Sequence, residues 1–262
     1  MRNRNMRLPA LLVTLALTAA LLGGCTYRSG PKSLAPEEPP TVKTVSDAGE
    51  MLTAAVKKSS RDAHKFSYQG WISSRIQKRK INSMYSIQTF DQDRGFLVGG
   101  SVLQKQYRYY RWEDRAYVSE GDMWRRLGKN ETRPDPFGGF RRLTAVADRM
   151  RELPEEKIMN QPCQVLQVEL AGADITKIIP PGITLPEGET ARSELARAKL
   201  QYTIWIGKAD HYIYQSKARL IMPIPGAGAL IQDTYFKFWN FNDPGVNLTK
   251  PENVERYLAK EE

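Results

Sequence analysis

Two cysteines, two histidines and a few close carboxylate pairs are the residues of this sequence whose types could do chemistry. His64 falls at the end of an expected helix and His211 in an expected turn, so neither is placed as a base against a nucleophile. The pairs Glu113-Asp114, Glu120 with Asp122, and Glu155-Glu156 would suit glycoside hydrolysis, which needs only two acids flanking the bond. Each pair reads as part of a turn or loop, where acids are ordinarily solvated. Gly-x-Ser-x-Gly, the phosphate-binding Gly-Lys-Ser/Thr loop, Cys-x-x-Cys and His-x-x-x-His are all missing. The sequence therefore assigns no catalytic residue, no metal ligand and no cofactor, and the chain reads as a non-enzyme. Cys163 lies in an expected strand with no basic neighbour in sequence, the setting of a small buried hydrophobe.

Cys25 is different. Arg2, Arg4 and Arg7 form a basic head, Leu8 to Leu22 is apolar apart from Thr14 and Thr18, and Gly23-Gly24-Cys25 closes the run. That is the three-part layout of a secretory signal. A permanent span needs ~20 apolar residues, and the residues after Cys25 cannot extend this one. Leu22-Gly23-Gly24-Cys25 resembles the bacterial lipobox, whose small residues admit a peptidase and whose thiol receives a diacylglycerol. The expectation is a signal peptide over 1–24, a lipid on Cys25, and a Pro-, Ser- and Lys-rich flexible tether over 25–45. Losing three arginines lowers the formal charge from +10 to +7, a balance suited to anionic head groups or wall polymers. Nucleic acid is not an expected partner outside the cell. With Cys25 acylated, Cys163 has no disulfide partner, and the domain must hold together by packing.

The elements that must position everything else begin at Ser46. Met51, Leu52, Ala55 and Val56 give a helical stripe over 46–64, with Ser46 or Asp47 as cap. The period then drops to two. Strands are expected at Phe66–Ile76, Met84–Phe90, Gly95–Gln104, Tyr107–Trp112, Arg115–Ser119 and Met123–Leu127, as a meander of antiparallel neighbours. Leu143, Val146, Ala147 and Met150 predict a second helix over Phe140–Leu153, ended by Pro154. A strand over Cys163–Leu170 puts Leu166, Val168 and Leu170 on one face and Cys163 on the other. A connection with a helical turn runs through Pro180-Pro181-Gly182 to Pro186, and Glu187–Arg197 suggests a third helix. Strands over Lys199–Gly207, Ile213–Pro223 and Ile231–Asn242 follow, with Pro251–Leu258 as a short helix or tail. Between the last two strands, Pro223-Ile224-Pro225-Gly226-Ala227-Gly228-Ala229-Leu230-Ile231 reads as an apolar loop suited to a cavity mouth or a bilayer surface. Residues 46–262 are expected to form one domain.

The closing residues carry a resemblance. Tyr202-Thr203-Ile204-Trp205-Ile206-Gly207-Lys208-Ala209-Asp210-His211, and later Phe236-Lys237-Phe238-Trp239-Asn240-Phe241-Asn242-Asp243-Pro244-Gly245-Val246-Asn247-Leu248, resemble the end of LolA/LolB-like lipoproteins, including the LppX/LprG group. A vaguer likeness extends to sporulation and germination lipoproteins of spore-forming Gram-positive bacteria. The resemblance implies an α+β fold: a strongly curved antiparallel sheet, an incomplete barrel, with helices covering its concave face. It also implies an apolar cavity that binds or carries an acyl lipid or lipoprotein, on the outer side of the cytoplasmic membrane if the cell is Gram-positive. Phe66, Tyr68, Ile72, Ile87, Val98, Tyr109, Trp112, Trp124, Leu143, Trp205 and Phe238 supply large side chains for such an interior. The alternative is a non-enzymatic interaction module with a filled core that engages another envelope protein.

Overall fold

The computed structural model describes residues 45–91, 94–102, 105–120, 123–127, 136–176, 178, 196–224, 226, 228–251 and 254. The signal segment, Cys25 and the tether lie outside them, as do residues 187–195 of the expected third helix.

Helix α1 spans Val45–Arg61. Ala48, Leu52, Ala55, Val56 and Ser59 recur at helical spacing and are buried. The Ser59 hydroxyl accepts the Ile213 backbone N–H at 3.0 Å, which ties the helix to the sheet. Gly49 lets the helix approach its neighbour: a Cβ there would sit 2.8 Å from the Ala147 carbonyl oxygen.

Eleven strands make one sheet: β1 Lys65–Ile76, β2 Arg79–Asp91, β3 Gly95–Val102, β4 Lys105–Trp112, β5 Arg115–Glu120, β6 Met123–Arg126, β7 Arg151–Ile158, β8 Gln161–Ala171, β9 Lys199–Gly207, β10 Ile213–Ile224 and β11 Gly228–Trp239. The order is β6-β5-β4-β3-β2-β1-β11-β10-β9-β8-β7, and every pairing is antiparallel. Two meanders, β1 to β6 and β7 to β11, are thus joined where the first strand pairs with the last. With β6 and β7 at the two ends, the sheet of described residues stays open. Register shifts at Phe66/Tyr68, Ile87/Thr89, Leu153/Glu156 and Ile213/Gln215 mark bulges, the device by which strands bend and a sheet curves.

The expected α+β architecture is therefore the observed one, with three differences. The helix expected over Phe140–Leu153 is instead a short α2, Gly138–Leu143, and a 3-10 turn, Thr144–Arg149, with Val146 at φ −128° breaking the regular winding. Arg151–Ile158 then pairs as edge strand β7, so Glu155-Glu156 lie on a strand and not in a loop. Pro154 sits within the register shift of this edge strand, one of the few places a sheet tolerates proline. The turn to β8 uses Met159 and Asn160, both with positive φ, the conformation of a two-residue hairpin. Lastly, β10 and β11 pair as far as Ile224 and Gly228, so the apolar segment expected as a long loop is mostly strand, with only residues 225–227 between. Gly226 and Gly228, at φ 70° and 81°, provide the turn's left-handed positions.

The main core lies between the sheet and α1, α2 and the 3-10 turn, with Phe66, Tyr68, Leu52, Phe140, Leu143, Leu166, Ile204 and Phe238 among its members. Helix α3, Ala173–Thr176, adds Ile175 beside Leu170 and Leu200 in the same cluster. A second, smaller cluster of Tyr110, Tyr117, Trp124 and Val254 packs with Leu97, Trp112 and Leu248 on the other side. At the opposite end of the strands, the Asn242 amide donates to the Asp62 carbonyl at 2.7 Å and to the Tyr212 hydroxyl at 3.0 Å, closing the chain after β11 against the end of α1.

Candidate ligand-binding face

Residues directly opposite one another in antiparallel strands point to the same face, so the register assigns the two sides of the sheet. Tyr68 faces Phe238, Gly70 faces Phe236, and Ile72 faces Thr234. Across β11 and β10 the pairs are Phe236 with Ser216, Thr234 with Ala218, Gln232 with Leu220, and Leu230 with Met222. The row continues through Ile204, Tyr202 and Leu200 of β9 to Leu166, Val168 and Leu170 of β8. None of these inner-face residues is charged. The outer face of the same strands carries Lys199, Lys217, Arg219, Asp233, Lys237 and Glu169.

The inner face has two parts. Near the helices it is a block of aromatic rings: Phe66 stacks on Phe90 at 4.7 Å between centroids, Phe137 on Phe238 at 5.2 Å, and Tyr68 on Phe238 at 5.5 Å. Phe140 of α2 meets Phe238 edge-on at 5.9 Å and Tyr202 edge-on at 6.2 Å. Beyond Tyr202, toward the β10–β11 turn, Ala218, Leu220 and Met222 continue the apolar floor but are only half-buried. Gly70 fixes the ring between the two parts, since a Cβ there would lie 2.3 Å from the Phe236 ring.

The polar groups of this face are neutral. The Tyr202 phenol is pushed up to about 12 by burial, partly opposed by a hydrogen bond with Ser216, so it stays protonated at any physiological pH. The Gln232 amide donates to the Thr234 hydroxyl at 3.5 Å. Such a surface offers non-directional apolar contact and a few uncharged hydrogen-bonding points. It suits an aliphatic chain.

The other residues singled out in the sequence are dispersed. His64 and His211 are exposed, the latter in a turn at φ 60°. Glu113 and Asp114 are exposed in the β4–β5 turn, Glu155 pairs with Lys208, and Glu156 accepts the Trp205 ring N–H at 2.9 Å. Among the described residues no His, Cys, Asp or Glu group has the geometry to hold a metal ion. Cys163 is fully buried on the face opposite Leu166, and burial pushes its thiol up to about 11.

Phe66, Tyr68, Val98, Leu143 and Phe238 stand in the main core as expected, with Tyr109 packed against it. Trp205 is buried and belongs to the main core cluster, but from the outer face of the sheet, where Lys217 lies over its ring at 5.2 Å. Trp112 and Trp124 belong to the smaller cluster with Tyr110 and Tyr117. Ile72 is buried on the inner face, while the side chain of Ile87 lies outside the described ones. Missed by the sequence reading were Ala218, Leu220 and Met222, whose only signal is alternation with Lys217, Arg219 and Ile221.

No protein-family model matches the chain, and no curated protein matches it. Solved structures are similar at low identity. LprF from Mycobacterium bovis is 13% identical, with 79% of this chain and 97% of that one covered and a TM-score of 0.45. The lipoprotein LppX from Mycobacterium tuberculosis is 11% identical, with 76% and 99% covered and a TM-score of 0.42. A LolA superfamily protein from Nitrosomonas europaea is 10% identical, with 79% and 96% covered and a TM-score of 0.27.

Proposed function

We propose that this chain is an extracytoplasmic lipoprotein, processed at Cys25 and anchored there by acyl chains, whose domain holds the aliphatic part of a lipid or acylated ligand on the inner face of its sheet. The observation that carries the binding half is the uncharged inner face of β1 and β8 to β11, which includes the half-buried strip Ala218, Leu220 and Met222 packed against the main core. At ~25 cal/mol per Å² of apolar surface removed from water, such a strip gains most from a long saturated chain. The Leu22-Gly23-Gly24-Cys25 motif supports the anchoring half. No helix of the described residues is long and apolar enough to cross a membrane.

The test is native mass spectrometry with lipid extraction on residues 25–262 carrying Cys25→Ser. An acyl lipid retained in stoichiometric amount supports the reading. A clean unliganded mass with no uptake of added phospholipid overturns it and leaves a scaffold for protein partners. Anchoring is tested separately by metabolic labelling with an alkyne fatty acid, which should mark the full chain and not its Cys25→Ser variant.

A further inference from the structure

The charge on the outer face of β10 and β11 stops toward their shared turn. Below Leu220 and beyond Ile231 the outer face carries Lys217, Arg219, Asp233 and Lys237. From Leu220 to Ile231 every residue is apolar, proline or glycine, on both faces of the hairpin. The outer positions here are Ile221, Pro223, Ala229 and Ile231. Ile221 is 38% exposed, although its outer-face neighbours Arg219 and Lys199 are charged. The turn itself projects: a Cβ built on Gly226 or Gly228 would meet nothing within 4 Å.

The neighbouring turn supplies the complementary chemistry. Ile76, the last residue of β1, pairs with Leu230 of the hairpin on one side and with Arg79 of β2 on the other. Arg75, Lys78, Arg79 and Lys80 are all exposed there, with no acid between them. Lys199 of β9 pairs with Ile221 on the far side. One end of the sheet thus presents a hairpin apolar on both faces, flanked by cations. At ~3.4 Å per residue the doubly apolar part is about 10 Å long, the depth to which apolar faces enter the head-group and acyl boundary of a bilayer.

We infer that this end of the sheet docks on an anionic lipid bilayer, with the β10–β11 tip inserted and the Arg75–Lys80 turn at the phosphates. The inference does not rest on the inner face holding a ligand, and docking and ligand binding can fail separately. It also differs from the acyl anchor, which is why the test removes the acceptor thiol.

The experiment is co-sedimentation of residues 25–262 carrying Cys25→Ser with vesicles of phosphatidylcholine containing 30% phosphatidylglycerol, and with phosphatidylcholine alone. The protein should bind the anionic vesicles, release with salt, and bind the neutral ones far less. The Lys78→Glu/Arg79→Glu/Lys80→Glu variant should lose binding by about fivefold or more for each charge removed. Ile221→Asp should lower affinity at least tenfold at unchanged circular dichroism, and Ile221→Trp should add a blue-shifted emission component only with anionic vesicles. Three results would overturn the proposal: no sedimentation of the parent protein with anionic vesicles at low salt, equal binding by the charge-reversed variant, or no emission shift from the vesicle-bound Ile221→Trp variant beyond that of the parent. Concentration-dependent self-association abolished by Ile221→Asp, without vesicle binding, would assign the tip to a second copy instead.

Discussion

The sheet carries an apolar cluster on each side, and the two are built to different standards. On the inner side, buried polar groups are answered: Ser59 accepts the Ile213 N–H, and Ser216 shares a hydrogen bond with Tyr202. On the outer side, the Tyr117 hydroxyl and the Ser119 hydroxyl are buried without a hydrogen-bond partner among the described residues. An unanswered buried hydroxyl costs ~1–3 kcal/mol. The inner cluster joins both meanders of the sheet through β1 and β11, whereas the outer one involves β3 to β6 and the C-terminal Leu248 and Val254. The inner cluster therefore holds the fold, and the outer one is a satellite that the fold can loosen.

The comparison breaks most sharply at Phe238, whose ring touches Phe66, Tyr68, Phe137 and Phe140. Phe238→Ala should cost about 3–5 kcal/mol, read as a fall in the denaturant midpoint at unchanged slope. Val254→Ala in the satellite, though fully buried, should cost about 1 kcal/mol or less. A larger loss at Val254 than at Phe238 would reverse the assignment of which cluster holds the molecule together.

Much of this arrangement was legible in the sequence, for a reason that also marks where reading stopped. Alternation tells which residues share a face and says nothing about which face is inside. The alternation groups Leu166, Val168 and Leu170 on one face, as the structure has them, and only their pairing with Ile204, Tyr202 and Leu200 shows that this face is the inner one. In Ile204-Trp205-Ile206 both parities are apolar, so alternation cannot say which side of the sheet Trp205 takes; it is buried on the outer side, where Glu156 accepts its ring N–H. Strand β7 was hidden because Arg151-Glu152-Leu153-Pro154-Glu155-Glu156-Lys157-Ile158 has an edge strand's composition, charged and broken by proline, and only its pairing with β8 makes it a strand. The strip Ala218, Leu220 and Met222 lacked weight because its members are ordinary apolar residues, distinguished only by being partly buried against the main core.

A smaller effect sharpens the division within the inner face itself. Gly70→Leu forces the Phe236 ring aside, because the new Cβ alone would lie 2.3 Å from it. Overpacking of this kind should cost about 1–3 kcal/mol, and the displaced ring should intrude on the strip beyond it. Lipid retained in native mass spectrometry should then fall further than the loss of stability explains; unchanged retention would separate the ligand from this face.

Titration distinguishes the face more gently. The Tyr202 phenol is raised from 10.0 to about 12 in the fold, so between those values the unfolded chain releases a proton that the folded one keeps. Stability is complete below pH 10 and declines as pH rises toward 12. Tyr202→Phe should flatten that decline in urea melts taken at successive pH values, and an unaltered slope would mean that the phenol is solvated. Cys163, raised to about 11, should likewise resist a disulfide reagent at pH 8 until the protein unfolds.

The smallest expected change is the most telling about the satellite. Tyr117→Phe removes one of the two unanswered hydroxyls and keeps the ring that stacks on Tyr110 at 6.4 Å between centroids. Deleting a hydrogen-bonded hydroxyl normally destabilises by ~1 kcal/mol. Here nothing is lost and a buried dipole is relieved, so the variant should be unchanged or up to about 1 kcal/mol more stable. The sign is what matters. Destabilisation would show that the hydroxyl finds a partner in solution and that the outer cluster is finished as carefully as the inner one. A gain would show that β4 and β5 tolerate a polar compromise under the C-terminal segment, which is affordable only because the inner cluster, built on β1 and β11, already holds the sheet.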